Sequence, residues 1–133
     1  TPAEANVLDD RAATYLLVSE AAPPGFVREM EERGATVVQA GADRVALPAA
    51  FEALEADGVD QLMVEGGGEL IFSLFADGLV DELSTFVGST IIGGRDAPTL
   101  ADGEGFTDQF PSLSLEDVEK LDDGVLLQWT VED

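Results

Sequence analysis

The sequence predicts an α/β domain with a helix-covered parallel sheet and an antiparallel C-terminal edge. In the first half, three apolar runs typical of strands alternate with three segments of helical periodicity. Near the C-terminus, two further runs flank Asp122-Asp123-Gly124, and an Asp-Gly pair in that position is a strong hairpin signal. The length of 133 residues suits one domain with a real core. We therefore expect residues 1–133 to form a single domain built on a mixed sheet.

The elements of the first half follow one another in regular order. The apolar runs are rich in strand-forming residues and predict buried strands at residues 14–19, 35–38 and 61–64. The segments between and after them have apolar residues at helical spacing, each followed by a glycine typical of a helix end. They predict helices at residues 26–33, from Pro48 to Gly58, and at residues 69–76.

The second half changes character. Residues 83–87 and 90–92 have the composition of strands, and a loop rich in Gly, Asp and Pro follows at residues 93–106. Residues 113–121 and 125–131 then predict the two strands of the hairpin. The second of these alternates as a half-buried strand should.

The charge of the chain is strongly negative. Twenty-eight acidic residues face only six basic ones, which gives a formal charge of −22, and the acids are spread among apolar residues. Such a surface repels itself at low ionic strength and suits a salt-rich, halophilic cytoplasm. A basic partner is the alternative explanation. Nucleic acid and anionic membranes are disfavoured as partners.

The composition excludes several kinds of site. Without Cys or His there is no disulfide, thiolate, imidazole base or histidine-ligated metal, and we expect no metal site. No apolar run reaches membrane-spanning length and no signal peptide is present, so we expect a cytoplasmic protein. The first residue is Thr1 rather than Met, and we expect the sequence to begin inside a larger protein or after a removed segment.

The glycine triplet Gly66-Gly67-Gly68 lies between a predicted strand and the helix predicted at residues 69–76. A helix N-terminus offers unpaired N–H groups, and glycines let a phosphate approach the backbone closely. The motif is neither G-x-G-x-x-G nor a Walker A loop. From spacing alone, a phosphate site and a purely structural turn are equally good readings.

Residues 64–70 and 74–83, continuing through residues 92–100 and 102–106, closely resemble the pyrimidine reductase family of riboflavin biosynthesis, whose reductase domain is the RibD C-terminal domain. The resemblance implies a dihydrofolate-reductase-like fold and a homodimer. It also implies NADPH-dependent reduction of a ribosylamino side chain to ribitylamino on a pyrimidine 5′-phosphate. Together with the acidic surface, it points to the archaeal branch, which acts on the 2,5-diamino-6-ribosylamino-pyrimidinone phosphate.

The same resemblance implies roles for individual residues. The cofactor pyrophosphate would be cradled by Gly67, Gly68, Glu69 and Leu70, with Gly66 shaping the approach; Val45 would touch the adenosine side, and Glu65 the substrate. The alternative for Glu65 is a charged strand end paired with a backbone N–H. Arg44 could meet the 2′-phosphate of NADPH or be simply solvated.

No catalytic residue is assigned. Asp81 and Glu82 are adjacent, and neighbouring residues of a strand point to opposite faces, so they cannot act as a dyad. Arg95 could reach an anion, although an arginine in a polar loop is usually solvated.

The resemblance covers only the later portion of a typical family member, whose earlier strands supply much of the nicotinamide and substrate pocket. Two alternatives therefore remain open. One is an NADPH reductase of the same fold that acts on another small substrate, and the other is a non-catalytic nucleotide-binding or dimerisation module.

Overall fold

The computed structural model describes residues 5, 8 and 11–132, which divide into two compact units, one ending at Leu62 and the other beginning at Met63. The first unit contains β1 (Tyr15–Val18), α1 (Pro24–Glu32), β2 (Thr36–Gln39) and α2 (Leu47–Ala56). The second contains α3 (Gly68–Ala76), β3 (Glu82–Val87), β4 (Leu113–Leu121) and β5 (Gly124–Val131).

The first unit is a parallel strand pair with two helices. β1 and β2 pair in parallel, with Tyr15 opposite Thr36 and Val18 opposite Gln39, as the strand–helix–strand order predicts. The core of this unit is made of small and flexible apolar side chains: Met30, Ala35, Ala40, Ala50 and Leu54. The two strands are less buried than predicted. All four residues of β1 are half-buried, because a sheet of two strands covers little of its own surface.

The helix boundaries of the first unit follow from proline and glycine. α1 begins at Pro24, where a missing N–H costs nothing, and ends before Gly34, which adopts a φ of +90°. Two hydrogen bonds close this end, from Gly34 N to the Glu31 carbonyl (2.9 Å) and from Ala35 N to the Met30 carbonyl (3.1 Å). α2 repeats the pattern with Pro48 in its first turn and Gly58 beyond its last residue, as predicted.

The second unit is built on a three-stranded antiparallel sheet in the order β3–β5–β4. The predicted hairpin is confirmed, and Leu121 pairs with Gly124 across its turn. Trp129 lies opposite Leu83 of β3, and its indole Nε1 donates to Thr85 Oγ1 at 3.4 Å. The alternation of β5 therefore sets one apolar row against β3.

The structure differs from the expectation in how the hairpin turns. The two turn residues are Asp122 and Asp123, and Asp122 carries the positive φ, +54°. Gly124 is the first residue of β5 and does not supply the left-handed conformation. It is buried beneath the aromatic ring of Phe86, so a close approach rather than a turn requires glycine there.

Two predicted strands are wrong. Residues 61–64 form no strand, and the side chains of Leu62 and Met63 are 47% and 81% exposed. Residues 90–92 likewise lie outside any strand, with Ile91 and Ile92 almost fully exposed. Both runs have strand composition, but a strand needs a neighbour to accept and donate its hydrogen bonds, and none of the described residues pairs with them.

The fold class is nevertheless confirmed as α/β with an antiparallel C-terminal hairpin. The parallel and antiparallel pairings expected in one mixed sheet occur in two separate sheets of the described chain. Across residues 5, 8 and 11–132, no helix is both long and apolar enough to cross a membrane.

Candidate functional site

The glycine turn, Gly66-Gly67-Gly68, leads directly into α3. Gly67 is the N-cap residue, and its carbonyl accepts the first helical hydrogen bond from Ile71 N at 3.0 Å. No side chain caps this end of the helix. Within the described part of the chain, the backbone N–H groups of Gly68, Glu69 and Leu70 have no hydrogen-bond partner. Three donors at the positive end of the helix dipole are therefore available to an anion.

The three glycines of the turn have different reasons to be glycine. Gly66 has a φ of +98°, which few side chains tolerate, and the Gly66–Gly67 peptide bond is cis. At Gly67, nothing lies within 4 Å of the position that a β-carbon would take. At Gly68, a β-carbon would collide with the carboxylate of Asp102. The space beside Gly67 is therefore open to a ligand, and the space beside Gly68 is filled by the protein itself.

A loop segment, residues 99–106, packs along one side of α3. Both the backbone N–H and the hydroxyl of Thr99 donate to Oδ1 of Asp102, at 3.0 and 2.7 Å. The hydroxyl bond first, and the backbone bond with it, hold the pKa of Asp102 below its ordinary value, so the carboxyl is ionised near neutral pH. Gly103 lies against the ring of Phe72, and the centroid of that ring is 4.8 Å from that of Phe106, with the two rings tilted by 42°.

Glu65, Glu69 and Leu70 flank the glycine turn and are exposed. Glu65 has no hydrogen bond or ion pair to any described residue, so the alternative of a strand-end pairing is not seen. The Glu69 carbonyl accepts a hydrogen bond from Ser73 Oγ at 2.8 Å, and its carboxylate lies in the first turn of α3. The side chain of Glu65 is thus exposed and, among the described residues, without a partner.

Val45 lies in the first unit, in the loop that follows β2. Glu20 N and Ala21 N donate to the carbonyls of Gly41 and Ala42, at 2.8 and 3.0 Å, and so join this loop to the one after β1. Val45 is half-buried at the carboxyl edge of the parallel pair, where ligands of α/β proteins usually bind. Arg44 beside it is exposed.

The other polar candidates form no cluster. Asp81 precedes β3, Glu82 begins it, and Arg95 is exposed in its loop. Among residues 5, 8 and 11–132, no three acidic side chains are grouped so that they could hold a metal ion. A groove of about 390 Å³ in the second unit is lined by Phe75, Asp81 and Thr130 among others, and none of the predicted site residues lines it.

The second unit brings together six of the seven predicted site residues, all from Glu65 to Leu70, whereas Val45 belongs to the first unit. Sequence reasoning missed Asp102 and Gly103 as neighbours of the glycine turn. Thr99 and Asp102 have the spacing at which an aspartate accepts hydrogen bonds from a preceding Thr, but this local signal does not indicate that their loop packs on Gly68.

Comparison with known proteins decides the family. The model of the RibD C-terminal domain matches residues 1–127. The chain belongs to the RibD C-terminal domain family. Its resemblance to that family, first recognised on residues 64–106, is therefore confirmed over nearly the whole chain.

Two archaeal relatives carry the name 2,5-diamino-6-ribosylamino-4(3H)-pyrimidinone 5′-phosphate reductase. The protein of Methanothermobacter thermautotrophicus is 46% identical over 116 residues, covering 87% of this chain and 53% of the relative. That of Archaeoglobus fulgidus is 44% identical over 123 residues, covering 92% of this chain and 54% of the relative. The chain thus spans about half the length of the curated relatives it matches.

Solved structures share the fold. A pyrimidine reductase-like protein from Corynebacterium diphtheriae superposes with a TM-score of 0.75 at 21% identity, covering 90% of this chain and 50% of the other. RibD of Acinetobacter baumannii superposes with a TM-score of 0.62 at 18% identity, covering 90% and 37%. The RibD C-terminal chain described here therefore has the dihydrofolate-reductase-like fold predicted for it.

Proposed function

We propose that this RibD C-terminal chain is the later portion of an NADPH-dependent reductase of riboflavin biosynthesis. Its substrate would be the 2,5-diamino-6-ribosylamino-pyrimidinone 5′-phosphate, whose ribosylamino chain becomes ribitylamino. The observation that carries the proposal is the glycine turn, where three N–H groups have no partner among the described residues and where the β-carbon position of Gly67 has nothing within 4 Å. The identity of 46% and 44% to two proteins named as this reductase supports the choice of reaction.

The residues of the turn suit the pyrophosphate of the cofactor. Gly68, Glu69 and Leu70 would donate their backbone N–H groups to it, and Gly66 and Gly67 leave room for it to approach. Val45 would contact the adenosine side. Arg44 is a candidate for the 2′-phosphate, because a guanidinium binds phosphate oxygens in pairs. NADPH would supply the hydride, so the role of this chain would be to bind and orient the cofactor and the substrate.

Glu65 is the residue of this chain that we assign to the substrate. It precedes the glycine turn, its carboxylate is exposed, and it is unpaired among the described residues. A carboxylate there can accept hydrogen bonds from amino or hydroxyl groups of a ribosylaminopyrimidine. We assign no general acid or base among the described residues.

We also propose a halophilic cell and a homodimer for this protein. The formal charge of −22 suits a halophilic archaeon with a salt-rich cytoplasm. A homodimer is supported by the exposed apolar residues of the edge strand β4, where Leu115 and Val118 lie on the same face of the sheet. The remaining half of a typical relative would supply further strands of a single domain, and would give residues 61–64 a neighbour.

The test compares three samples: residues 1–133 alone, the full-length protein, and the two parts expressed as separate chains. We expect NADPH oxidation with the pyrimidine phosphate from the full-length protein, restored at least in part by the separate chains, and little or none from residues 1–133. NADPH binding without turnover by the full-length protein would favour the non-catalytic module. Turnover with a pterin instead would favour the other reductase, and full activity of residues 1–133 would refute the division of the pocket.

A further inference from the structure

Asp102 stands between Thr99 and the glycine turn. Both donors of Thr99 bind the same carboxylate oxygen, Oδ1. The other oxygen, Oδ2, lies against Gly68, together with Cγ and the backbone N of Asp102. The carboxylate is therefore fixed on one side by two hydrogen bonds and packed on the other against the first residue of α3.

The same loop makes a second contact one helical turn further along. Gly103 lies on the ring of Phe72, and that ring packs at a tilt against Phe106, with centroids 4.8 Å apart. Gly68 and Phe72 are four residues apart and so lie on the same face of α3. Residues 99–106 thus contact the first two turns of α3, one contact in each turn, and each contact depends on a glycine that lets the chains approach closely.

We propose that Asp102, held by Thr99, is a positioning residue for the cofactor turn: it fixes Gly68 and, through it, the free N–H groups that meet the phosphates. The inference rests on the proposed function, because it concerns how that site is preorganised. Asp102 acts through the backbone of Gly68 and does not itself bind phosphate, since two negative groups repel each other. A donor that is held in place loses less entropy when the anion binds.

The hydrogen bonds from Thr99 determine which substitutions of Asp102 should keep the contact. The Thr99 donors need an acceptor oxygen at residue 102, and an asparagine amide keeps one, whereas alanine removes it. Asp102→Asn should therefore preserve the positioning, and Asp102→Ala should lose it. Thr99→Val removes the hydroxyl donor but keeps the backbone donor, so it should lie between the two.

The experiment uses the full-length protein and measures kcat and the KM for NADPH. We expect Asp102→Ala to raise this KM about tenfold with kcat changed less than about twofold, because binding rather than chemistry is affected. Asp102→Asn should restore the KM to within about twofold of the wild type. Asp108→Ala is the matched control, an exposed aspartate of the following loop whose carboxylate accepts a hydrogen bond from the neighbouring Thr107 hydroxyl, and it should leave both constants unchanged.

A double-mutant cycle separates positioning from general damage. Gly68→Ala alone drives a β-carbon into the Asp102 carboxylate; in the Asp102→Ala background the two side-chain atoms it would meet are absent. We therefore expect Gly68→Ala to raise the NADPH KM by a smaller factor in that background than in the wild type. If the two residues did not interact, as is usual for residues more than about 7–10 Å apart, the two substitutions would change the KM by independent factors, and the double variant would show their product.

The outcomes distinguish the inference from the function on which it rests. If the wild-type protein binds NADPH but Asp102→Ala leaves its KM unchanged, the positioning role is wrong and the proposed function stands. The same holds if Asp102→Asn fails to restore the KM, or if the two changes of the cycle multiply. If the wild-type full-length protein does not bind NADPH at all, the proposed function and the positioning role are both refuted.

Discussion

The aromatic ring of Phe86 on β3 lies over Gly124 of β5, in the space that a β-carbon would need. The carbonyl oxygen of Val87 closes the same space at 2.8 Å from that position. Gly124 is the buried residue through which the hairpin and β3 approach each other, although Phe86 itself stays 54% exposed.

Gly124→Ala should destabilise the second unit by about 1–3 kcal/mol, the usual cost of forcing an extra methyl group into a filled site. Urea unfolding of residues 1–133 in high salt measures the change. Gly88→Ala is the matched control, because its β-carbon would meet the same ring at 3.6 Å, an ordinary contact distance. Equal unfolding midpoints for the two variants would contradict the role given to Gly124.

Gly67→Val should weaken NADPH binding by the full-length protein about tenfold or more while changing the free energy of unfolding by less than about 1 kcal/mol. The side chain would enter the open space in front of α3, where the phosphates are proposed to bind, and would touch no described residue within 4 Å at its β-carbon. Cofactor fluorescence titration and urea unfolding measure the two effects. Unchanged affinity would make the glycine turn purely structural.

Glu65→Gln should lower kcat/KM for the pyrimidine phosphate about tenfold, which corresponds to about 1.4 kcal/mol of transition-state binding. The NADPH affinity should stay within a few fold, since Glu65 precedes the phosphate-binding donors. Steady-state kinetics with each substrate varied in turn checks both values. A variant that loses NADPH and keeps its pyrimidine substrate would reverse the roles of Glu65 and the turn.

The fold should depend on salt, because 28 acidic residues repel one another with only six basic residues to offset them. At 1 M salt the Debye length falls to about 3 Å, and most of this repulsion is screened. We expect the thermal midpoint to rise steeply between low and molar KCl. A midpoint that does not move would remove the support for a halophilic cell.

The Asp102 carboxyl should titrate below its ordinary pKa of 3.8, because the Thr99 hydroxyl and backbone N–H both bind its ionised form. A folded-state pKa below the unfolded value means that this contact stabilises the protein above pH 3.8 and loses that effect as the pH falls through the folded value. Carbon-13 shifts of labelled aspartate follow the titration. Thr99→Val should raise the midpoint, and a wild-type midpoint at or above the ordinary value would contradict the contact.

Local sequence signals located most of the elements correctly. Pro48, Gly34 and Gly58 lie at the ends of α1 and α2 where predicted, because these residues act through their own backbone restrictions. The start of α1 was not predicted correctly, since the helix begins at Pro24 and not at residue 26. The hairpin was predicted by its turn, although the glycine serves packing rather than the turn itself. Such signals need no knowledge of what lies across the sheet.

Features that depend on distant neighbours were not predictable from the same patterns. Residues 61–64 have the composition of a central strand, but strand formation depends on a partner that no local pattern encodes. The packing of Asp102 on Gly68 joins residues 34 positions apart, and it is seen only in the folded protein. In the candidate site, the glycine turn could be read from the sequence, whereas the loop that holds it could not.

The strand order β3–β5–β4 has a consequence for biosynthesis. β5 is the central strand of this sheet, and it is translated after both of the strands that pair with it. On the ribosome, β3 therefore has no partner in this sheet until β5 emerges, and water binds its backbone groups until then. A nascent chain stalled before Gly124 lacks the strand that joins β3 to β4. Once β5 has emerged, its two-residue connection lets it pair with β4 within microseconds, so the synthesis of β5 rather than hairpin closure sets the time at which the β4–β5 pair appears.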